Sequence, residues 1–372
     1  MRVPEVAAST IEITLQRLFD SSPVRELSSS DKLVVVSDLH LGDGGSRDDF
    51  LSNGDLLEQV LRRYYLMNDF SLVLNGDIEE LQRFPFDAIL RRWQVFYELF
   101  RQFAHRTEIY RIVGNHDDAL WHFDMPSLDH PLFAALRLSF GSDTIFLFHG
   151  HQATIFFERF NEVSGFFLRH FANRLNIRNI PVHYESTKRY RTEHRVYAFS
   201  SARKIVSIIG HTHRPLFESL SKIDTLKFRI EQLCRDYPVV SPRARQAIEK
   251  VVEGYKEELT HLWDKDRRDG MRSGLYNEQI SVPCLFNSGC AIGKRGVTAI
   301  EIAEGQIRLV HWFDRRRSDR YLANGNGRAA RRVGDFPTEG NEVRRLDDTE
   351  YYRTVLKKDR LEYVFSRIRL LA

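Results

Sequence analysis

Six short runs rich in Val, Ile, Leu and Phe most constrain this chain: KLVVVSD at 32–38, FSLVLNGD at 70–77, EIYRIVGNHD at 108–117, DTIFLFHGH at 143–151, KIVSIIGHTH at 204–213 and VPCLFNSG at 282–289. Runs of this length, bounded by Gly, Asn, Asp and Pro, read as strands. Between the first three lie GDLLEQVLRRYYLM and FDAILRRWQVFYELFRQFAHR, whose apolar residues recur every three or four positions, as an amphipathic helix requires. Strand and helix in alternation predict an α/β layered core. A later pair, GVTAIEIAEG and QIRLVHWFD, reads as a hairpin turning at Glu304-Gly305.

Each of the first five runs ends in Asp, His or Asn, and in open α/β sheets that edge is where ligands bind. In order, the ends are Asp38-Leu39-His40, Gly76-Asp77-Ile78-Glu79-Glu80, Gly114-Asn115-His116-Asp117, His149-Gly150-His151 and Gly210-His211-Thr212-His213. Imidazole nitrogen with carboxylate or amide oxygen is the donor set of borderline and hard divalent metals. Two such ions roughly 3.5–4 Å apart need about seven donors, with one carboxylate between them. The strand ends supply that number. In Asp38/His40 and His211/His213 the residues at i and i+2 share one face of an extended strand, so both reach one site. Neighbouring glycines let the backbone turn sharply beside the ions. A single buried histidine is more often a satisfied core residue than a ligand, but five such motifs on successive strand ends favour metal for His40, His149, His211 and His213. Asp43, Asp48 and Asp49 lie in LGDGGSRDD, which is turn chemistry, and Asp117 and Asp118 read as the start of the following segment.

The five blocks resemble the calcineurin-like binuclear metallophosphoesterases, whose pattern is DxH, GDxx(D/E), GNH(D/E), a histidine before Gly, and GHxH. The resemblance spans Asp38 to His213, and FNSG around Asn287 is similar to the strand that follows in that family. It implies a four-layer α/β/β/α sandwich with helical insertions. It also implies hydrolysis of a phosphoester or phosphoanhydride by a hydroxide bridging two divalent ions, Mn foremost, with Fe, Zn or Mg possible. Asp38, His40, Asp77 and His213 would hold one ion and Asp77, Asn115, His149 and His211 the other, Asp77 bridging. His116 would steady the transition state or protonate the leaving group, and Glu80 would orient His116. His151 is left beside the site.

Within the superfamily, SDLHLG, the helical insert between the HGH and GHTH blocks, and GHTHRP look most like the UDP-2,3-diacylglucosamine pyrophosphatase branch, which acts on a lipid-linked nucleotide. His116 stands where that branch typically has Arg, so a phosphoesterase of unassigned substrate is the first expectation and the lipid pyrophosphatase the alternative. A phosphoprotein phosphatase fits less well, because Glu79-Glu80-Leu81 and Asp117-Asp118 replace the contexts of GDxVDRG and GNHE. An inactive scaffold fits least, because the ligand set is complete. The partner expected is a phosphorylated small molecule or lipid-linked nucleotide, with no nucleic acid.

Three scattered cysteines, none in a CxxC pair, point to a reducing cytoplasm. The N-terminal MRVPEVAASTIEITLQRLFDSS places acidic residues where a secretory signal needs an apolar run. No segment reaches the roughly 20 apolar residues of a membrane span, so any membrane contact is expected to be peripheral. The net charge of +4 is smaller than the excess of residues 314–372, which hold 15 Lys/Arg against 10 Asp/Glu. Arg315-Arg316-Arg317 and Arg331-Arg332 in that tail read as solvated.

The organisation expected is an N-terminal helical extension at 1–30, a catalytic domain at 31–313, and a basic linker with a C-terminal helix at 314–372. Two inserts interrupt the domain: a helical, lid-like stretch at 152–204 and a charged helical hairpin at 218–279. In the first, Phe156, Phe157, Phe160, Phe166, Phe167 and Phe171 would pack on the sheet, while Arg159, Arg169, Arg174, Arg178, Lys188, Arg189 and Arg191 would meet a diphosphate or headgroup. The last helix is expected over TEYYRTVLKKDRLEYVFSRIRLL.

Overall fold

The computed structural model describes residues 5–122, 130–154, 186–219, 242–268, 282–293, 296–317 and 343–372, with single residues between 226 and 237. In chain order the elements are α1 (Glu5–Ser21), β1 (Val24–Glu26), β2 (Lys32–Val36), α2 (Gly54–Val60), β3 (Ser71–Asn75), α3 (Phe86–Arg92), α4 (Gln94–Arg106), β4 (Ile109–Ile112), β5 (Leu132–Phe133), β6 (Ala135–Phe140) and β7 (Asp143–Phe148). There follow α5 (Ser186–Arg203), β8 (Val206–Ile209), α6 (Pro242–Arg268), β9 (Leu285–Asn287), β10 (Val297–Ala303), β11 (Gln306–Asp314), β12 (Val343–Arg345), β13 (Tyr351–Arg360) and α7 (Leu361–Leu371).

The strands form an eight-stranded sheet, β12-β13-β11-β10-β2-β3-β4-β5, and a five-stranded sheet, β1-β6-β7-β8-β9. Strands β2, β3 and β4 run parallel, as do β7, β8 and β9. Period-two alternation explains why the larger sheet is apolar on both sides. Leu33, Val35 and Val73 join Leu136, Leu147 and Ile208 in the core between the sheets, while Val34, Val36, Leu72 and Leu74 pack with residues of α2 and α4 on the outside. Residues of α1 and α5 join the cluster of the smaller sheet. The layers are therefore helix, sheet, sheet, helix, the α/β sandwich expected.

Helix α4 shows what holds a layer in place. It has no side-chain cap, yet Phe96, Tyr97, Leu99, Phe100 and Phe103 are all buried. Each such side chain contributes about 2 kcal/mol on burial, against about 1 for a cap, so the apolar face positions the helix. The expected hairpin also forms: β10 and β11 pair antiparallel, and Glu304 and Gly305 both take positive φ, as a two-residue turn of this kind requires.

Two expectations change. Part of the N-terminal stretch read as helical is strand, since Val24–Glu26 pairs with β6. The final helix begins only at Leu361, and Tyr351–Arg360 is a strand against β11. A register shift at Leu309/Val310 breaks the alternation that would have marked that strand, so Arg353, Thr354, Val355 and Leu356 are buried in succession. In the 218–279 stretch α6 is present, and its other arm lies outside the described residues apart from single positions. The Phe-rich part of the first insert, with Arg159, Arg169, Arg174 and Arg178, also lies outside them; Arg189 and Arg191 fall on α5.

Candidate metal centre

The two sheets bring the C-terminal ends of their parallel strands to one place. Asp38, His40, Asp77 and Asn115 follow strands of the larger sheet, and His149, His211 and His213 follow strands of the smaller. Among the described residues, three triads have donor atoms within 4.8 Å of one another: Asp38, His40 and His213; His40, Asp77 and His116; and Asp77, His149 and His211. Asp77 Oδ2 lies 3.0 Å from His149 Nε2 and 3.9 Å from His40 Nε2. Asp38 Oδ1 lies 3.1 Å from His213 Nε2, and the Nε2 atoms of His40 and His213 are 3.2 Å apart. Two imidazole nitrogens aimed at one point are what a shared cation requires.

The backbone achieves this differently from the shared strand face that the spacing predicts. Asp38, His40, Asp77, His211 and His213 all adopt left-handed φ, between 50° and 62°. Asp38 and His40 therefore meet because both residues twist out of the strand, not because they share its pleat. Each costs roughly 1 kcal/mol or more for a residue with a Cβ, so the surroundings must impose it. The N–H groups of Asp38 and His40 donate to the carbonyls of Gly76 and Asp77, both at 3.0 Å. The glycines serve close approach more than turning: a Cβ on Gly114 would collide with Asp77, and one on Gly210 with Asp38 and Ser37.

Partners outside the triads fix each ring. Glu80 bridges two of them, its Oε2 2.9 Å from His40 Nδ1 and its Oε1 2.9 Å from His116 Nδ1. The expected pairing with His116 is present, and the second with His40 was not foreseen. His149 Nδ1 donates to the Asn75 carbonyl at 2.9 Å, which leaves Nε2 facing Asp77. Asp117 is buried, not merely the start of the next segment: it accepts the N–H groups of Ile78 at 2.7 Å and Gly114 at 2.6 Å, tying the Asp77 loop to the Asn115 loop. Its place as the last letter of GNHD was the available signal. Asp48 behaves as turn chemistry predicts, accepting from the backbone of Gly44 and Phe50. His151 packs beside the rings of His149 and His211 and belongs to none of the triads.

The electrostatics divide the imidazoles. Burial pushes His211 down to about 3, with the charge on His149 acting in the same direction, and lowers His40. Burial opposes charge on His149 too, but Asp77 overrides it and raises that group to about 9. Asp38 does the same for His213. Burial would raise Glu80, but the hydrogen bonds from His116 and His40 hold it down at about 2. Burial, together with Asp77 and Glu79, lifts Asp117 to about 7.

The donor set fits divalent metal on two further counts. Asn115 Oδ1 and His211 Nε2 are buried atoms with no hydrogen-bond partner, a costly arrangement for a polar atom unless something else takes its lone pair. Both stand where the sequence reading placed donors to one ion.

Residues 32–215 match the family model for Calcineurin-like phosphoesterase. A comparison with curated proteins found no match. Among solved structures, a conserved protein of Streptococcus pneumoniae TIGR4 titled a predicted phosphoesterase is 14% identical, with 75% of this chain and 87% of that one covered at a TM-score of 0.27. Vacuolar Protein Sorting 29 from Cryptosporidium Parvum is 12% identical, with 76% and 91% covered at a TM-score of 0.29. Such low scores carry no argument. The family match and the donor geometry do: residues 32–215 match the calcineurin-like phosphoesterase family, whose chemistry is metal-dependent phosphoester hydrolysis.

Proposed function

We propose that the protein is a binuclear metallophosphoesterase in which Asp38, His40 and His213 hold one divalent ion, Asn115, His149 and His211 hold the other, and Asp77 is shared. The observation that carries this reading is Asp77 Oδ2, which faces His149 on one side and His40 on the other. When bound, the ions supply Lewis acidity, activating water at neutral pH and drawing charge from the phosphoryl oxygens. Manganese is the ion expected, and the nitrogen and oxygen donors accommodate Fe, Zn or Mg.

His116 is more exposed than the other triad histidines, with 18% of its side chain accessible. Glu80 holds Nδ1, so Nε2 is the atom presented to a substrate. Burial disfavours the imidazolium, but Asp77 and Glu80 together raise it, and the proton is retained on Nε2 until a leaving oxygen accepts it. A cation on Asp77 would cancel that residue's share, leaving the Glu80 hydrogen bond as the lasting support.

The substrate class is a phosphoester or phosphoanhydride of a small molecule. A UDP-2,3-diacylglucosamine-type pyrophosphate at the cytoplasmic membrane surface is a second reading, supported by the basic sequence STKRYRTEHR at the start of α5, the helix that adjoins the His211–His213 loop. The test is metal-stripped full-length protein re-supplied with Mn. Two ions bound per chain, with turnover of bis-p-nitrophenyl phosphate, support the first reading. Preferential cleavage of the lipid nucleotide promotes the second, and a single ion per chain overturns the binuclear centre.

A further inference from the structure

Helix α5 reaches the metal-centre loop through one buried carboxylate. Glu193 is fully buried, as is Thr212, the residue between His211 and His213. The Thr212 hydroxyl donates to Glu193 Oε1 at 2.7 Å. Arg214, directly after His213, forks onto the same carboxylate, its Nε donating to Oε1 at 3.2 Å and its Nη2 pairing with Oε2. From the other side Asn287 Nδ2 donates to Thr212 Oγ1 and to the Gly210 carbonyl, each at 2.9 Å. The loop that carries two left-handed histidines is thus clamped between β9 and α5.

The α5 side of the clamp is rigidly mounted. Val196 and Tyr197, three and four residues after Glu193, lie on the same helix face and are buried in the core of the smaller sheet. Arg195 Nη1 donates to the Ala153 carbonyl at 2.9 Å, and Ser200 Oγ donates to Ser207 Oγ of β8 at 2.7 Å. A buried carboxylate that accepts from both a hydroxyl and a guanidinium fixes direction as well as distance.

We propose that Glu193 is a positioning residue that sets His211 and His213 together, so that the placement of α5 tunes the affinity of both ions. The inference rests on the two-ion reading, since His211 belongs to one donor set and His213 to the other. Residues touching the ligands from outside change metal affinity by about 10- to 100-fold when replaced. Glu193 adds to that general rule a single contact serving both ions, supplied by a helix outside the motif blocks.

The test uses full-length Glu193→Gln, which preserves shape and an acceptor for Thr212 but removes the charge facing Arg214, with Glu193→Asp as a conservative companion. Calorimetric titration of the metal-free chain with Mn is expected to show both sites weakened by about 10- to 100-fold, with partial recovery in Glu193→Asp. Hydrogen exchange of the 209–215 backbone in the metal-free state should rise in Glu193→Gln. Wild type binding two Mn with Glu193→Gln binding identically at both sites overturns the proposal and leaves the two-ion reading standing. Wild type binding no Mn, with exchange still raised in Glu193→Gln, removes the two-ion reading and retains the positioning role for the loop. Weakening of one site alone also overturns the proposal, because a single clamp must act on both histidines.

Discussion

Two buried polar networks lie along the same eight-stranded sheet and have opposite characters. At one, Glu301 of β10 accepts from Tyr65 Oη at 2.8 Å and from Arg353 Nε of β13 at 3.0 Å. Trp312 Nε1 in turn donates to Tyr65 Oη at 2.9 Å, and Arg353 lies over the Tyr64 ring. None of these five side chains contains a buried atom without a partner, and none of the five residues has positive φ. At the other, Asn115 Oδ1 and His211 Nε2 are unpartnered and five donor residues are left-handed. A saturated network on relaxed backbone is a fastening. An unsaturated one on strained backbone is a site, because strain and orphaned lone pairs persist only where something offsets them.

The sharpest way to break this contrast is to remove one carboxylate from each network. Asp77→Asn should take activity to background and abolish the stoichiometric uptake of two ions, measured by elemental analysis after dialysis. Glu301→Ala should leave ion uptake intact in the folded protein but cost about 3–5 kcal/mol of stability by stranding Arg353 in the interior, read by denaturant unfolding. If Asp77→Asn lowers stability as much as Glu301→Ala and leaves ion uptake unchanged, the two networks are alike and the distinction fails.

Within the site, the next effects separate holding metal from moving a proton. His116→Gln should lower kcat by about 10²- to 10⁴-fold with metal content unchanged. The loss should shrink for substrates with good leaving groups such as p-nitrophenolate, which need no proton. Glu80→Gln should cost about 10- to 100-fold in both metal affinity and turnover, because it releases His40 as well as His116. A loss in kcat alone would show that the His40 contact is idle.

How much of this was legible in the sequence follows from the same contrast. Donor identity was legible, because Asp, His and Asn at the ends of apolar strands have no reason to be there in a core. The alternation that gives two sheets and their helices was legible for the same reason. The left-handed backbone was not: Asp and His enter that region more readily than most residues but still uncommonly, and at Asp38, His40 and Asp77 the neighbouring loops impose it. Strand β13 was hidden because its own bulge, at Leu356, spoils the period. Glu193 was hidden because one acid in a basic helix resembles solvated charge until the fold brings Thr212 and Arg214 to it.

The smallest expected effect is a pH dependence that belongs to the metal centre alone. In the metal-free chain His149 titrates at about 9, since Asp77 overrides the burial that opposes its charge, and His213 is raised by Asp38 in the same way. His40 and His211 are shifted down, so they offer free nitrogens at neutral pH. Each donor set therefore contains one imidazole that must lose a proton before it can ligate. The affinity of the ion at His149 should rise about tenfold per pH unit from neutrality and level off near 9, with about one proton released per ion, because metal and proton compete for one lone pair. The sign reverses for the folding of the metal-free chain. A histidine raised above its unfolded value near 6.5 contributes stability that is complete below 6.5 and lost as pH climbs through 9. Metal-free protein should thus melt earlier at pH 9 than at pH 6.5, while the ion-loaded form shows the opposite trend. At the Glu301 network burial raises Tyr65 well above its usual range, so that hydroxyl keeps its proton across the interval. Titration calorimetry in buffers of different ionisation enthalpy counts the protons, and release of none on metal binding at pH 7 would place His149 outside the donor set.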